Sequence, residues 1–271
     1  MKINGIPLHD LHLHTGLSPC SGDPSGTPEL YAPIAAKNGV ELIGIADHMW
    51  DIRIKHPGGG YGKTLTFEHQ LAHMCECERV QHGVKILYGV EAEFFSGVLG
   101  LHESSAALLD FVSVAHSHFH QGPHALPDGY RSHEGVAFYM MKTFDEMIAH
   151  PLTQITAHPF EPCVLDVGQD LLKVYELVGR DRFVKSLEKA RDKGISIEIN
   201  TSLNEPYGTE VYEKTYMWMW QLAKEVGCLF HFGTDAHTAG RFEERSRPEV
   251  YKEYIDRLGL KPENMHPLCF R

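Results

Sequence analysis

Five segments of this 271-residue chain place histidine or carboxylate side chains directly after a short apolar run: His12-Leu13-His14, Asp47-His48, Glu91, His158-Pro159 and Asp235-Ala236-His237. A sixth, rich in histidine, extends from His116 to His120. Residues i and i+2 of a strand share a face, so His12 and His14 project together with Asp10 beside them, and Asp235 and His237 repeat that geometry. Imidazole nitrogens and carboxylate oxygens are the donors that zinc, manganese and iron take in proteins. Glu91 has two oxygens and can bridge two ions, and Glu93 on the same face is either its competitor or an acceptor that orients a ligand histidine. In the histidine run, His116, His118 and His120 have the same parity; His118 is preferred as the ligand and His116 stays beside it as the alternative. His120, His124 and His133 read as loop residues.

Side chains so far apart in sequence meet only if the elements carrying them end at one rim. Apolar runs predict seven strands, at 8–13, 42–46, 84–90, 108–115, 155–157, 195–199 and 229–232. Helical stretches between them are expected at 28–38, where Thr27-Pro28-Glu29 supplies cap, N1 proline and first-turn acid, and at 67–82, 134–150, 171–178, 182–193 and 210–226. Glycines 39, 83, 194 and 227 serve as stops. Alternating strands and helices imply a parallel sheet covered on both faces, and closure into a barrel explains why every strand ends in polar chemistry. The length fits one such barrel as a single domain over residues 1–271. Two glycine- and proline-rich loops, 56–62 and 122–129, are expected to lie over the rim.

Composition narrows the function. Apolar residues at 42% and charged residues at 23% are those of an ordinary soluble globular chain. There is no signal-peptide pattern and no long apolar run, so a cytoplasmic protein without membrane contact is expected. Six dispersed cysteines (20, 75, 77, 163, 228 and 269) read as free thiols, not a disulfide framework; Cys75 and Cys77 fall in an expected helix and point to different sides. A net charge of −11 without a basic stripe argues against a nucleic-acid partner. Bound cations reverse that acidity locally and keep a small phosphate ester in play as substrate.

The ordered set Asp10-Leu-His12-Leu-His14, Asp47-His48, Glu91, His158-Pro159 and Asp235-Ala-His237, with Glu198-Ile-Asn200 at the sixth strand, resembles the polymerase and histidinol phosphatase (PHP) family of metal-dependent phosphoesterases. The resemblance extends over residues 8–240. It implies a distorted seven-stranded (β/α)7 TIM-like barrel with two or three divalent ions at the strand C-terminal ends. It further implies that His12, His14, Glu91 and Asp235 hold the first ion, Glu91, His158 and one histidine of the 116–120 run the second, and His48 and His237 the third. Many relatives carry a histidine or aspartate shortly after the opening motif, where this chain has Cys20; the thiol is either a soft third-site ligand or a buried small hydrophobe.

Such a cluster acidifies a bridging water and neutralises phosphoryl oxygens as they gain charge. Asp235 and His237 are then the catalytic candidates at the reacting group, His237 or a loop histidine as the acid at the leaving oxygen. Arg241 is the candidate for orienting the phosphate, with Arg131, Arg180 and Lys142 as alternatives. The leading function is hydrolysis of small phosphate esters. An amidohydrolase-like C–N hydrolase and a non-catalytic metal-binding PHP domain are the competing classes; the first lacks a carboxylated-lysine motif, and retention of nearly all ligand positions argues against the second.

Overall fold

The computed structural model describes residues 1–18, 20–21, 26–58, 78–163 and 168–271. Seven strands run in the order in which they are made: β1 (His9–Leu13), β2 (Leu42–Ile45), β3 (Val84–Phe95), β4 (Phe111–Ala115), β5 (Ile155–Thr156), β6 (Ser196–Asn200) and β7 (Leu229–Gly233). Every neighbouring pair is parallel. The seam between first and last strands is joined by a parallel bridge, Leu13 to Ala236, in which the Asp235 N–H donates to the His12 carbonyl at 2.9 Å and the His14 N–H to that of Ala236 at 3.0 Å. The expected distorted (β/α)7 barrel is therefore the observed fold.

The strands are buried along nearly their whole length because helices cover the outside: α1 (Pro28–Lys37), α2 (His133–Ala149), α3 (Gly168–Val178), α4 (Arg180–Asp192), α5 (Asn204–Tyr212), α6 (Trp218–Val226), α7 (Ala239–Arg245) and α8 (Pro248–Leu258). A π-helical turn, Glu213–Met217, joins α5 to α6, and Gly227 ends α6 in the left-handed conformation that glycine adopts without strain. Inside the barrel the Phe111 ring lies against β2 and β3. A Cβ at Gly89 would stand 2.5 Å from that ring and one at Gly44 2.9 Å, so these two glycines make its room. Among the described residues no helix is long and apolar enough to cross a membrane.

Three elements differ from the sequence expectation. β3 continues to Phe95, so Glu91 lies within the strand and not at its end, paired in register with His48 and Ser113. Of the helix expected over 67–82, residues 67–77 lie outside the described residues, and its end is corrected. Val80–Gln81 is a short strand antiparallel to the start of β3, and His82 and Gly83, both at positive φ, form the two-residue turn between them. Helices α7 and α8 follow the last motif and were not expected. Of the two loops expected over the rim, residues 59–62 lie outside the described ones. The rest pack together, with the His56 and His124 ring centroids 4.8 Å apart beside Trp50 and Phe95.

Candidate metal centre

All the candidate motifs reach the C-terminal rim. His12 and His14 close β1, Asp47 and His48 follow β2, Glu91 and Glu93 lie in β3, His118 follows β4, His158 follows β5, Glu198 and Asn200 end β6, and Asp235 and His237 follow β7. This is the end at which barrels of this kind carry their chemistry.

Glu91 is central, fully buried, and neither of its carboxylate oxygens accepts a hydrogen bond. Its Oε2 faces His12 Nε2 and His14 Nε2, each at 3.5 Å. The two imidazole nitrogens stand 3.1 Å apart, and Asp235 Oδ1 is 3.6 Å from the first and 3.1 Å from the second. Four donors on one zinc ion with bonds of 2.0–2.1 Å are separated by roughly 3.3 Å in a tetrahedron, so this set has the dimensions of a cation shell. The other oxygen, Oε1, faces His158 Nε2 at 3.1 Å and His118 Nε2 at 3.6 Å, and those two nitrogens are again 3.1 Å apart. A third group joins Cys20, His48 and His237 beside His14, with Cys20 Sγ at 2.9 Å from His237 Nε2.

The opposite ring nitrogens explain why these faces point inward. His12 Nδ1 bonds Glu198 Oε1 at 2.7 Å, and His118 Nδ1 bonds Glu93 Oε2 at 2.8 Å, the orienting role weighed for Glu93. His14 Nδ1 meets Ser18 Oγ at 2.9 Å, and that hydroxyl donates to Asp47 Oδ1 at 2.6 Å. His237 Nδ1 lies 2.9 Å from the Asp235 carbonyl. Each turns the remaining nitrogen toward the cluster, where its lone pair would meet a bound ion, the arrangement that outer partners impose on metal-binding histidines. Asp47 lies behind this layer: it accepts from the Thr15 N–H and hydroxyl, both at 2.7 Å, and fixes the loop after β1. Gly233 is required here, because a Cβ would stand 2.0 Å from Glu198 Oε1 and 2.7 Å from the His12 Cβ.

The electrostatics are those of carboxylates seeking positive charge. Burial opposes charging of His158, yet Glu91 and Asp235 raise it to about 9. His12 and His48 are likewise driven up against burial, His12 by Glu198, Glu91 and Asp235, and His48 chiefly by Glu91. Burial pushes Glu91 up, but the His48, His12 and His118 rings hold it well below the usual carboxylate range. Protons on imidazole thus do here what a bound cation does better. Burial also opposes ionisation of Cys20, and hydrogen bonds from His237 and His48 outweigh it, bringing the thiol to about 7. Backbone strain gathers at the same rim: His158, Phe160, Cys163 and Asp235 all have positive φ.

His116, the alternative to His118, points elsewhere. Its Nδ1 lies 3.2 Å from Thr143 Oγ1 and its Nε2 accepts the Phe160 N–H at 3.2 Å, so both nitrogens hold the β5 loop against α2. Arg241 is exposed in the first turn of α7 and does not line the rim cavity. Arg131, Arg180 and Lys142 form surface ion pairs with Asp128, Glu225 and Glu146. His133 pairs with Asp170 at 2.9 Å and does not line the rim cavity. Sequence reasoning did not single out Cys163 or Glu161, which line the cavity beside His120 and Gln121. The cavity measures about 300 Å³, and its described lining contains no lysine or arginine.

A barrel whose strand ends converge on histidines and carboxylates of these dimensions is a candidate metallohydrolase, and its relatives can be set beside it. No protein-family model matches the chain. A probable phosphatase of Acetivibrio thermocellus is 29% identical over 249 residues, spanning 90% of this chain and 84% of that protein. The crystal structure of a histidinol phosphate phosphatase from Lactococcus lactis subsp. lactis, complexed with zinc, L-histidinol and phosphate, matches with a TM-score of 0.63 at 15% identity. That match covers 93% of this chain and 94% of that one. The two bear out the resemblance to the PHP family, and the structural match carries the fold.

Proposed function

We propose that this chain is a metal-dependent phosphatase of small phosphate esters. The observation that supports it most is Glu91, a buried carboxylate whose two oxygens lack donors and face separate histidine sets. His12, His14, Glu91 and Asp235 would hold one divalent ion and Glu91, His118 and His158 a second, while Cys20, His48 and His237 offer a third position. Bound ions supply electrophilic charge to phosphoryl oxygens and a water of lowered pKa. Zinc is the first metal to consider because a thiol stands among the donors, and manganese and iron follow.

The chain's own residues then bind and order the ester. With no lysine or arginine in the described cavity lining, phosphate recognition falls to the ions, with His120 beside them on the cavity wall. Glu161 and Gln121 are left to contact the rest of the substrate. Where the third position holds no ion, His237 is the proton donor we assign at the leaving oxygen: burial opposes its charging, but Cys20 and Asp235 raise its pKa, and its Nδ1 bond to the Asp235 carbonyl fixes the ring. A volume near the lower end of small-molecule sites suits a monoester better than a polymer. The four described free thiols fit a reducing cytoplasm.

The test is phosphate release from histidinol phosphate and other monoesters, beside phosphodiesters and amides, after metal stripping and resupply of zinc, manganese or iron. Monoester turnover that needs metal and is lost in Glu91→Gln is expected. Amide turnover alone would transfer the site to C–N hydrolysis, and full metal uptake with no turnover would mark a non-catalytic domain.

A further inference from the structure

After His158 the chain coils tightly, with positive φ at His158, Phe160 and Cys163, and this coil returns the Cys163 side chain to the rim. Its Sγ and one ring nitrogen each of His118 and His158 all lie within 4.8 Å of one another. The Nε2 atoms of these two rings face Glu91 Oε1, the buried oxygen without a donor. Among the described residues, one oxygen and two nitrogens are the donors we otherwise assign to this position. Adjacent donors around zinc stand roughly 3.3–3.6 Å apart when one of them is sulfur, so the thiol has at most about 1.5 Å to close on the two histidines, a distance to be shared between its own torsion and the rings.

We propose that Cys163 is a fourth donor to the ion held by Glu91, His118 and His158. The inference rests on the metal-centre reading above and adds a residue to it. Cys20 stands by the group of His48 and His237, so the cluster would carry a thiol at two of its positions. The thiol gives up its proton to solvent as the sulfur–metal bond forms. Two consequences would follow from sulfur being a soft donor: this position would prefer zinc or cobalt over manganese, and with a fourth protein donor in place a phosphoryl oxygen would enter as a fifth ligand.

Cobalt(II) reports thiolate ligation directly through its near-ultraviolet sulfur-to-metal charge-transfer absorption. The stripped full-length protein is titrated with cobalt alone, with uptake measured by elemental analysis. The same titration is run on Cys163→Ser, Cys20→Ser and the double variant. The expected result is a band that falls in Cys163→Ser, falls separately in Cys20→Ser and vanishes in the double variant. Preference for zinc over manganese should drop at least about tenfold in Cys163→Ser. Alkylation mapped by mass spectrometry uses the unmutated chain and so does not depend on a variant folding: Cys163 should react in the stripped protein and be protected by zinc. Full cobalt uptake with a band untouched by Cys163→Ser, or equal alkylation with and without zinc, overturns the role of Cys163 alone. No cobalt uptake by the unmutated protein overturns the metal centre itself.

Discussion

With no exposure and no hydrogen-bond donor on either oxygen, Glu91 would be forced toward its neutral acid were it not ringed by imidazoles. The ligands that share its charge should be as indispensable as Glu91 itself. Asp235→Asn and His158→Ala are expected to lower phosphatase turnover by about 100-fold or more at limiting metal with the fold retained, since each removes a donor from an ion. His124→Ala, whose ring packs on Phe95 at 5.1 Å between centroids, should change turnover only slightly. Circular dichroism beside the kinetics checks both halves, and full activity in the first two variants would refute the ligand sets. Cys20→Ser should lower metal content by about one equivalent and leave the His12, His14, Glu91 and Asp235 position filled. Elemental analysis reads the count, and anomalous scattering with the Cys20 sulfur turned from the third ion would reject this role. Most of these residues were legible in the sequence because a strand end seldom needs paired histidines and carboxylates at i, i+2 for its own packing. His118 could not be separated from His116 that way, since parity is shared and only the Thr143 and Phe160 contacts tell them apart. Cys163 was not legible at all, because its approach depends on a coil of positive φ that no local pattern announces.

Strands hold these groups in position, and the place where they are set is the packing below the rim. Gly89 lies two residues before Glu91 on β3, with the Phe111 ring where a side chain would go. Gly89→Ala is expected to destabilise the fold by about 1–3 kcal/mol through overpacking and to weaken metal binding by displacing β3. Part of the stability loss should return in the Gly89→Ala, Phe111→Leu double variant, read as coupling in a denaturant-unfolding cycle. Additive losses would show that the two positions do not share this space. The sequence made the strands legible because their apolar runs are short and bounded, yet it ended β3 early. Two carboxylates inside a strand look like a terminus until the histidines that neutralise them arrive from β1, β2, β4 and β5. The His82-Gly83 pair resembled a helix stop, whereas positive φ at both residues makes it a hairpin turn. Helix α8 was within reach: Tyr251, Tyr254, Ile255 and Leu258 are buried at helical spacing, but they lie beyond the last motif of the site.

At the scale of the whole barrel, the first ion position spans the point where the sheet closes on itself. His12 and His14 come from β1 and Asp235 from the end of β7, on opposite sides of a seam held by the Leu13 to Ala236 bridge and its two backbone hydrogen bonds. β5 has only two residues, His158 follows it after one intervening residue, and this loop is fastened through the His158 N–H to Glu198. Ions here would bind the folded chain and not the unfolded one, and so would act as staples across the seam as well as reagents. A single site with free ion a thousandfold above its dissociation constant adds about 4 kcal/mol. For a chain of this size each kcal/mol moves the melting temperature by about 2–4 °C. Stripping with a chelator should therefore lower the midpoint by roughly 8–16 °C, less whatever the unfolded histidines and cysteines retain. Amide exchange should accelerate first at His14 and Asp235, the donors of the seam. Thermal scans and hydrogen exchange on the same stripped and refilled samples test this. A midpoint indifferent to chelator, or one that shifts equally in Glu91→Gln, would mean that the seam closes by packing alone and that the ions serve only the chemistry.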